Sequence, residues 1–371
     1  MVTEVKPQPG LEHVRPYIPG TPIADVQREY GLTDVIKLAS NENPLGTSPK
    51  ALEAMVQALH RVNHYPDSEC YELRGALAEH HELDPGQIIV GNGADGLITQ
   101  VAMAYLDQGS EVVVSASSFP FYDVLTHIMR ARLIKTPLKG YGLDLEAMAE
   151  AIGPRTALVF VCNPNNPTGT IVTSAEVASF MQRVPGHVLV VFDEAYYELV
   201  ASDEFPEMVD YVRQGWENVM VLRTFSKVYG MAGIRLGYGL AMSGVLAPMK
   251  QAREPFAVNS LAQSAGIAAL QDQAFLQKTM RANHASRLWL YEQFERLGLA
   301  YVESHTNFIL VHIGPQAPEV QQELVKLGVI VRPCVAYDLC DFLRVTVGTP
   351  RQDERFITAL ESVLGRLSGS T

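Results

Sequence analysis

The sequence predicts an α/β fold: a large domain with a mostly parallel β-sheet sandwiched by helices, and a smaller α/β domain after it. Two observations predict this fold. From about residue 86, short apolar segments alternate with helical stretches. Strands that are apolar on both faces and separated by helices are typical of a parallel sheet covered on two sides. The length of 371 residues exceeds what one small core organises, so we expect two domains.

The strands predicted for the large sheet are residues 87–90, 111–115, 157–162, 187–192, 219–222 and 236–240. Helices are predicted between several of them, for example over residues 94–105 and 174–182. An earlier helix follows Ser48 and Pro49, because proline suits the first helical position after a capping serine. Its apolar residues recur at helical spacing, which predicts one buried face: Leu52, Met55, Val56 and Leu59.

Residues 1–41 are rich in proline and glycine and are predicted to form an N-terminal arm that packs with the second domain. We place the large domain at residues 42–255 and the small C-terminal domain at residues 256–371. The predicted elements of the small domain are a helical region over 259–297 broken near its middle, strands at 308–312, 329–332 and 342–347, and helices at 318–327 and 352–367.

Composition is that of an ordinary globular enzyme, with 47% hydrophobic and 19% charged residues. A net charge of −12 argues against nucleic acid or an anionic membrane as a partner. The four cysteines lack metal-ligand spacing and suggest thiols in a reducing compartment. No signal-peptide pattern and no apolar run of the ~20 residues that span a membrane is visible, so we expect a cytoplasmic protein.

Lys227 ends the segment Arg223-Thr224-Phe225-Ser226-Lys227, just after a predicted strand, and Arg235 follows in the next loop. A lysine amine can form an imine with an aldehyde, while hydroxyls and a guanidinium can hold a phosphate. This combination is what an enzyme needs to bind pyridoxal 5′-phosphate. Taken alone, however, a Ser-Lys pair near a strand end is more typical of a solvated turn.

Other strand ends carry polar groups as well. The run Asn-Pro-Asn-Asn-Pro-Thr-Gly at 163–169 contains Asn166 and is either a plain turn or part of a ligand site. Asp193 directly follows a strand, and a carboxylate buried there needs a partner such as a protonated pyridine nitrogen, unless it only caps a helix. Tyr196 would bring a phenol to the same edge.

Two further segments complete the set. The glycine-rich turn at 91–96 opens a helix, and its backbone N–H groups at Ala94 and Asp95 can face an anion. Phe119 follows a strand and either stacks on a planar ring or belongs to the core. Because a parallel sheet gathers its strand ends at one edge, these segments together predict a cofactor site.

This order of motifs resembles the fold-type I pyridoxal-phosphate enzymes, such as aspartate aminotransferase. Within them the chain is similar, nearly end to end, to the histidinol-phosphate aminotransferases. The motifs that carry the resemblance lie at residues 16–20, 37–46, 65–67, 163–169, 193–196, 223–227 and 343–348. The Asn-Glu-Asn-Pro run at 41–44 and the arm before it favour this subfamily.

The resemblance implies a transaminase that uses pyridoxal 5′-phosphate to convert L-histidinol phosphate and 2-oxoglutarate to imidazole acetol phosphate and L-glutamate. Lys227 would form the imine, Asp193 would pair with the ring nitrogen, and Phe119 would stack on the ring. Asn166 and Tyr196 would contact the ring's 3′-oxygen. The implied phosphate ligands are Ala94, Asp95, Thr224, Ser226 and Arg235, with Tyr65 from the neighbouring subunit of a homodimer. The implied substrate ligands are Tyr17, Asn43, Arg332 and Arg344.

Three positions depart from the family pattern: Gly96 where a glutamate is frequent, Cys70 among small residues, and Phe119 in place of a tyrosine. Two enzymatic alternatives remain open at this stage. An aromatic amino acid aminotransferase would use the same arginines for a carboxylate. A lyase similar to threonine-phosphate decarboxylase would share the cofactor residues. A non-catalytic regulator is disfavoured, because we see no helix-turn-helix pattern or basic cluster before residue 41.

Overall fold

The computed structural model describes residues 5–14 and 20–368, which form two main β-sheets with helices on their faces and a separate two-stranded sheet of Leu138–Lys139 and Gly142–Leu143. The strands are β1 (Ile36–Leu38), β2 (Ile88–Asn92), β3 (Glu111–Ser115), β4 (Arg132–Thr136), β5 (Leu138–Lys139), β6 (Gly142–Leu143), β7 (Thr156–Cys162), β8 (Leu189–Asp193), β9 (Val219–Thr224), β10 (Leu236–Ala241), β11 (Tyr301–Val302), β12 (Phe308–His312), β13 (Val329–Pro333) and β14 (Phe342–Thr346).

The α-helices are α1 (Ile23–Tyr30), α2 (Pro49–Ala58), α3 (Tyr71–His81), α4 (Gly93–Tyr105), α5 (Phe121–Ile128), α6 (Leu145–Glu150), α7 (Ser174–Arg183), α8 (Val209–Arg213), α9 (Ser243–Ala252), α10 (Ser260–Leu270), α11 (Gln273–Arg296), α12 (Ala317–Lys326) and α13 (Pro350–Ser368). Short 3-10 helices are Pro9–His13, Leu59–Arg61, Pro85–Gln87, Tyr197–Leu199, Ala232–Ile234 and Val335–Tyr337.

The large sheet has the strand order β2-β10-β9-β8-β7-β3-β4. The strands from β9 to β4 run parallel, while β10 pairs antiparallel with both β2 and β9. The prediction of a mostly parallel sheet is therefore confirmed. All predicted strands of this sheet form, with ends within about two residues of the prediction, and β4 is an addition at the edge.

Each face of the large sheet has its own hydrophobic core. In β8, Val190 and Phe192 pack into the core that contains α3 and α10, while Leu189 and Val191 pack into the core that contains α4, α5 and α9. This alternation follows from the period of two along a strand. It explains why the central strands are apolar at every position.

The small sheet has the order β1-β13-β14-β12-β11, and its core includes residues of α11, α12 and α13. Strand β1 lies in the predicted N-terminal arm and pairs parallel with β13, so that Leu38 faces Val331. The arm is thus joined to the second sheet by backbone hydrogen bonds.

The helices around residue 255 link the two halves of the chain. Helix α10, which follows the boundary predicted at residue 255, packs against α2 and α3. Its residues Ala262, Ala265 and Ala269 belong to the same core as the large sheet. The next helix, α11, contributes Leu276 to that core and Leu290 to the small-sheet core. The large-sheet core therefore continues past residue 255, and α11 bridges both cores.

The apolar face of α2 is not buried within the single chain, contrary to its predicted burial. Leu52 is 49% exposed, Val56 61% and Leu59 50%. The fourth residue of the predicted face, Met55, is half-buried against the large-sheet core. Ala51 on the adjoining side is buried, and α2 packs against α10. Helical periodicity identifies an apolar stripe but does not show what covers it. Within the described residues, no helix is both long and apolar enough to cross a membrane.

The segment that follows β1 docks on the loop after β9. Thr47 Oγ1 donates to the carbonyl oxygen of Gly230 at 2.7 Å. Gly230 has φ +70°, and a Cβ atom there would lie 1.9 Å from the carbonyl oxygen of Gly46. Both the left-handed backbone and the close approach require glycine at this position.

We expect Gly230→Ala to lower the free energy of unfolding by about 2–4 kcal/mol, from left-handed strain and overpacking together. Gly233 in the same loop is the matched control, because its φ is not positive and a Cβ there has open space. Denaturant unfolding of both alanine variants measures the difference. Equal free energies of unfolding for Gly230→Ala and Gly233→Ala would show that the close approach of Gly46 to Gly230 does not stabilise the loop after β9.

Candidate active site

The predicted site residues meet where β3, β7, β8 and β9 end. These strands run parallel, so their carboxyl ends lie at one edge of the large sheet. Asp193 is the last residue of β8, and Lys227 follows β9. Phe119 follows β3, and Asn166 lies in the loop after β7. The sheet topology thus gathers residues that are more than 100 positions apart in sequence.

The Lys227 amine lies in a largely enclosed space, with Nζ 5.6 Å from the centroid of the Tyr196 ring. Burial lowers its pKa to about 8, and the positive charges of Arg344 and Arg235 act in the same direction. Asp95 and Glu42 oppose this shift. At pH 7 about a tenth of the amine is therefore neutral, far more than for a lysine of ordinary pKa, and the neutral form is the one that acts as nucleophile or base.

Asp193 is buried beside this amine. Burial raises its pKa to about 6, against the hydrogen bond from Tyr122 and the charge of Lys227. Tyr122 Oη donates to Asp193 Oδ2 at 2.6 Å, and the Ala195 N–H donates to Oδ1 at 3.2 Å. The carboxylate is thus fixed in place without an ion pair to an arginine, which leaves its charge available to a cationic group of a ligand.

An anion cradle lies at the start of α4. Arg235 Nη2 donates to Asp95 Oδ2 at 2.9 Å, and Nη1 lies 3.5 Å from Ser226 Oγ. Ser226 Oγ in turn accepts from Thr224 Oγ1 at 3.0 Å. Asn92 is the N-cap of α4, but its side chain makes no capping hydrogen bond. The first backbone N–H groups of the helix are therefore not bound by the Asn92 side chain. Hydroxyls, a guanidinium and a helix N-terminus together fit a phosphate group.

Gly93 keeps this cradle open. Its φ is +74°, and a Cβ atom at this position would lie 2.5 Å from Arg235 Nη2. Gly237 on β10 approaches the same turn, with a hypothetical Cβ 2.5 Å from the Ala94 nitrogen. The glycines therefore allow α4, β10 and the arginine to approach one another.

The small sheet contributes two arginines from neighbouring strands, since Arg332 and Arg344 are register partners and both are buried. Arg344 Nη1 donates to Asn166 Oδ1 and, at 3.1 Å, to Tyr337 Oη. Its Nη2 donates to the carbonyl oxygen of Ala39 at 2.9 Å. Arg344 therefore joins both sheets and the arm at the site.

Phe119 is half-buried at the margin of the core that contains α4 and α5. Its ring is edge-on to Tyr122, with centroids 5.5 Å apart and an interplanar angle of 85°. Phe119 therefore contacts the tyrosine that donates to Asp193, and its stacking on a bound ring stays a prediction.

The roles predicted for Asn43, Tyr65 and Tyr17 stay predictions. Asn43 lines the same cavity as Lys227, and its amide donates to the carbonyl oxygen of Val228 at 2.8 Å and accepts from the Leu45 N–H. Tyr65 is 82% exposed and stacks on Phe256, with centroids 4.6 Å apart. It lies outside the Lys227 cluster of its own chain. Tyr17 lies outside the described residues.

The sequence interpretation missed Tyr122, Tyr337 and Asn41. Asn41 Nδ2 donates to Tyr196 Oη at 2.9 Å. Asn41 and Asn43 both belong to the Asn-Glu-Asn-Pro run, but nothing in the sequence shows which of the two hydrogen-bonds to Tyr196. Tyr122 was visible three residues after Phe119, at helical spacing that would place both on one side.

Comparison with known proteins supports this geometry. The profile of the family "Aminotransferase class I and II" matches residues 33–360. A histidinol-phosphate aminotransferase of Moorella thermoacetica is 48% identical over 98% of this chain and 94% of its own length. One from Symbiobacterium thermophilum is 46% identical over 96% and 98%. The crystal structure of histidinol-phosphate aminotransferase from Sinorhizobium meliloti in complex with pyridoxal-5′-phosphate superposes with a TM-score of 0.90, 29% identity and 99% coverage of both chains.

We expect Lys227→Met to stabilise the cofactor-free protein at pH 7 by about 1–3 kcal/mol, because it removes a buried ammonium group. The folded pKa of about 8 lies below the ordinary 10.5, so protonation opposes folding below pH 8. The free energy of unfolding of the wild type should therefore rise between pH 8 and 10.5. The difference in free energy of unfolding between wild type and Lys227→Met should shrink over the same range, because above it the Lys227 amine is neutral in both the folded and the unfolded state.

The exposed residue Lys139 provides the control variant Lys139→Met. Denaturant unfolding at pH 7 and pH 10 measures both variants against wild type. A stability gap of equal size at the two pH values would contradict a destabilising charge at Lys227.

Proposed function

The chain belongs to the class I and II aminotransferase family, and we propose that it transfers the amino group of L-histidinol phosphate to 2-oxoglutarate. The products are imidazole acetol phosphate and L-glutamate, and the reaction belongs to histidine biosynthesis. The observation that carries the proposal is the nearly full-length similarity to histidinol-phosphate aminotransferases. The position of the Lys227 amine, between an anion cradle and a pair of buried arginines, suits this reaction.

The residues at the sheet edge fit pyridoxal 5′-phosphate. The cradle of Ser226, Thr224, Arg235 and the α4 N-terminus would hold its phosphate, and Asp193 would pair with its ring nitrogen. Asn166 and Tyr196 would contact its 3′-oxygen. When bound, the cofactor supplies an aldehyde carbon for amine exchange and a ring that withdraws electrons from the reacting carbon.

Lys227 would hold the cofactor through its aldehyde carbon, and its amine would move the reacting proton once a substrate amine takes its place. Its lowered pKa leaves about a tenth of the amine neutral at pH 7, and this fraction can accept the proton. The low dielectric and the nearby arginines that lower this pKa are therefore part of the mechanism.

Asp193 keeps a proton on the ring nitrogen. With a pKa of about 6, this carboxyl is ionised at neutral pH, and a cationic nitrogen beside it would lower that pKa further. Tyr122 donates to the carboxylate oxygen Oδ2 and so fixes its direction. The remaining negative charge is oriented toward the ring edge.

Arg344 and Arg332 orient the substrate's anionic end. A guanidinium fork binds a phosphate monoester and a carboxylate with similar geometry, so one pair can accept both histidinol phosphate and 2-oxoglutarate. Both side chains are buried, which strengthens their interaction with an anion relative to an exposed pair. The residues predicted to close the site around the substrate also include Tyr17 and Asn43.

The proposal includes a homodimer in which Tyr65 of each subunit reaches the cofactor phosphate of the other. The exposed apolar stripe on α2 supports it, because contiguous exposed apolar surface marks interaction sites. Tyr65 is itself largely exposed. We further propose a cytoplasmic location, supported by the four unpaired cysteines.

Substrate preference provides the direct test. Purified enzyme is offered histidinol phosphate, phenylalanine and threonine phosphate, each with 2-oxoglutarate. We expect kcat/KM to favour histidinol phosphate over phenylalanine by roughly tenfold or more, because a phosphate offers the buried arginines more negative charge and more acceptor oxygens than a carboxylate does. Lys227→Ala should lower turnover by about 10²–10⁴-fold or more, and Lys139→Ala should not.

Each other outcome identifies an alternative. A preference for phenylalanine would indicate an aromatic amino acid aminotransferase, and release of carbon dioxide from threonine phosphate would indicate a lyase. Normal turnover by the Lys227→Ala protein would contradict the whole mechanism.

The dimer is tested by placing a charge on the α2 stripe. Leu52→Arg should yield single chains in sedimentation equilibrium, because an arginine cannot be buried there without a partner. Leu288→Arg is the matched control, since Leu288 on α11 is 46% exposed and Leu52 is 49% exposed. Dimers that persist in Leu52→Arg, with the same dissociation constant as the control, would exclude this face as the interface.

A further inference from the structure

Asn41 connects the site to the small sheet. It follows β1, is 2% exposed, and has φ +55°, a left-handed conformation that asparagine tolerates. Its backbone carbonyl accepts from Asn307 Nδ2 at 3.0 Å. Its backbone N–H donates to Thr346 Oγ1 at 3.0 Å. Both partners belong to the small-sheet region, so the backbone of Asn41 is fixed there.

Thr346 determines which way the Asn41 amide points. Thr346 Oγ1 accepts from the Asn41 backbone N–H, and it also lies 3.1 Å from Asn41 Oδ1. A hydroxyl carries one hydrogen, and here that hydrogen is donated to Oδ1. The amide oxygen therefore faces Thr346, and the NH₂ group faces Tyr196.

The direction of the hydrogen bond to Tyr196 follows from this orientation. Asn41 Nδ2 can only donate, so Tyr196 Oη accepts from it at 2.9 Å. The hydroxyl hydrogen of Tyr196 is then free to be donated elsewhere. A hydroxyl that already accepts a hydrogen bond is also a better donor, because the two bonds polarise each other.

Tyr196 adjoins the site, because Lys227 Nζ lies 5.6 Å from the centroid of its ring. The ring is buried and edge-on to Phe308, at 5.2 Å and 81°. Burial raises the pKa of the Tyr196 phenol, while the positive charge of Arg344 and the Asn41 hydrogen bond lower it; Cys162 and Tyr337 raise it. Tyr196 therefore stays protonated in the working pH range and acts as a donor.

We propose that Asn41 is a positioning residue that sets the Tyr196 hydroxyl as a donor to the ring oxygen of the bound cofactor. The inference rests on the proposed function. Donation to that oxygen withdraws negative charge from it. The nitrogen that joins Lys227 to the cofactor then holds its proton less tightly. Asn41 thus tunes the protonation of this nitrogen without touching the cofactor.

The test is the pH midpoint of the visible absorbance of the bound cofactor, which reports protonation of that nitrogen independently of turnover. Asn41→Gly removes the amide, adds no charge and suits the left-handed backbone. We expect its midpoint to rise by about half a unit to one unit, the size of one weakened hydrogen bond. Its dissociation constant for pyridoxal 5′-phosphate should rise about two- to fivefold for the same reason.

A double-mutant cycle separates this role from a merely structural one. Tyr196→Phe should raise the midpoint at least as far as Asn41→Gly does. Adding Asn41→Gly to Tyr196→Phe should then change neither the midpoint nor the dissociation constant further. A shift that persists in full without the Tyr196 hydroxyl would overturn the proposal.

Thr346 supplies a second pair of variants that leaves Asn41 in place. Thr346→Val removes the hydroxyl that orients the amide and should raise the midpoint, whereas Thr346→Ser retains it and should keep the wild-type value. Wild-type midpoints in both Asn41→Gly and Thr346→Val would overturn this inference alone. A wild-type protein that takes up no pyridoxal 5′-phosphate would overturn the proposed function with it.

Discussion

The burial of one amine is the constraint to which the rest of the site responds. Lys227 lies at the end of a central strand, where both faces of the sheet are covered, so its charged form is poorly solvated. Arg344 and Arg235 add to this cost, while the carboxylates of Asp95, Glu42 and Asp193 offset part of it. Burial and the two guanidinium groups together disfavour the protonated amine, and the same guanidinium groups favour bound anions. The protein thus gives up stability at the place where it needs a neutral lysine and an anionic ligand.

The geometry of the site depends on how the two sheets meet. Asp193 and Lys227 come from the large sheet, while Arg344 and Thr346 come from β14 of the small sheet. Arg344 bonds to Asn166, and the Asn41 amide joins Thr346 to Tyr196. A displacement of the small sheet would therefore change substrate-binding and cofactor-tuning groups at once. Helix α11, whose residues belong to both cores, is the element that holds this arrangement.

The sequence predicted the central strands well because their apolar runs end abruptly in polar residues, and those polar residues are the site. It failed where a strand lacks that pattern. Strand β4 carries Arg132 and Lys135 and is partly exposed, so it reads as a polar segment. Strand β1 has three residues, one of them Lys37, and its partner β13 lies almost 300 positions away. Such pairing is decided by tertiary contacts and not by local preference.

In the candidate site, too, the sequence shows which residue types are present but not which contacts they make. Motifs located Lys227, Asp193 and Asn166, because their types and strand-end positions are visible in the sequence. The bonds of Asn41 and Tyr122 are not visible, since they depend on backbone conformation and on helix orientation. Likewise, periodicity found the apolar stripe of α2, but its exposure in the single chain became clear only from where α10 packs.

Adjacent carboxylates at the end of β8 illustrate how the fold divides these roles. Asp193 and its neighbour Glu194 point to opposite faces, as successive strand residues do. Glu194 Oε2 accepts from Arg223 Nε at 2.9 Å, and the Arg223 guanidinium lies 3.4 Å from the centroid of the Tyr197 ring. This buried ion pair ties the end of β8 to β9 from behind. Arg223 Nη2 also lies 3.1 Å from Glu207 Oε1, so removing Glu194 leaves the guanidinium one carboxylate partner, whereas removing Arg223 leaves Glu194 buried without its cation, which is costly. Asp193, which directly precedes Glu194, and Lys227, which follows β9, are thereby held in place while their own side chains remain available to a ligand.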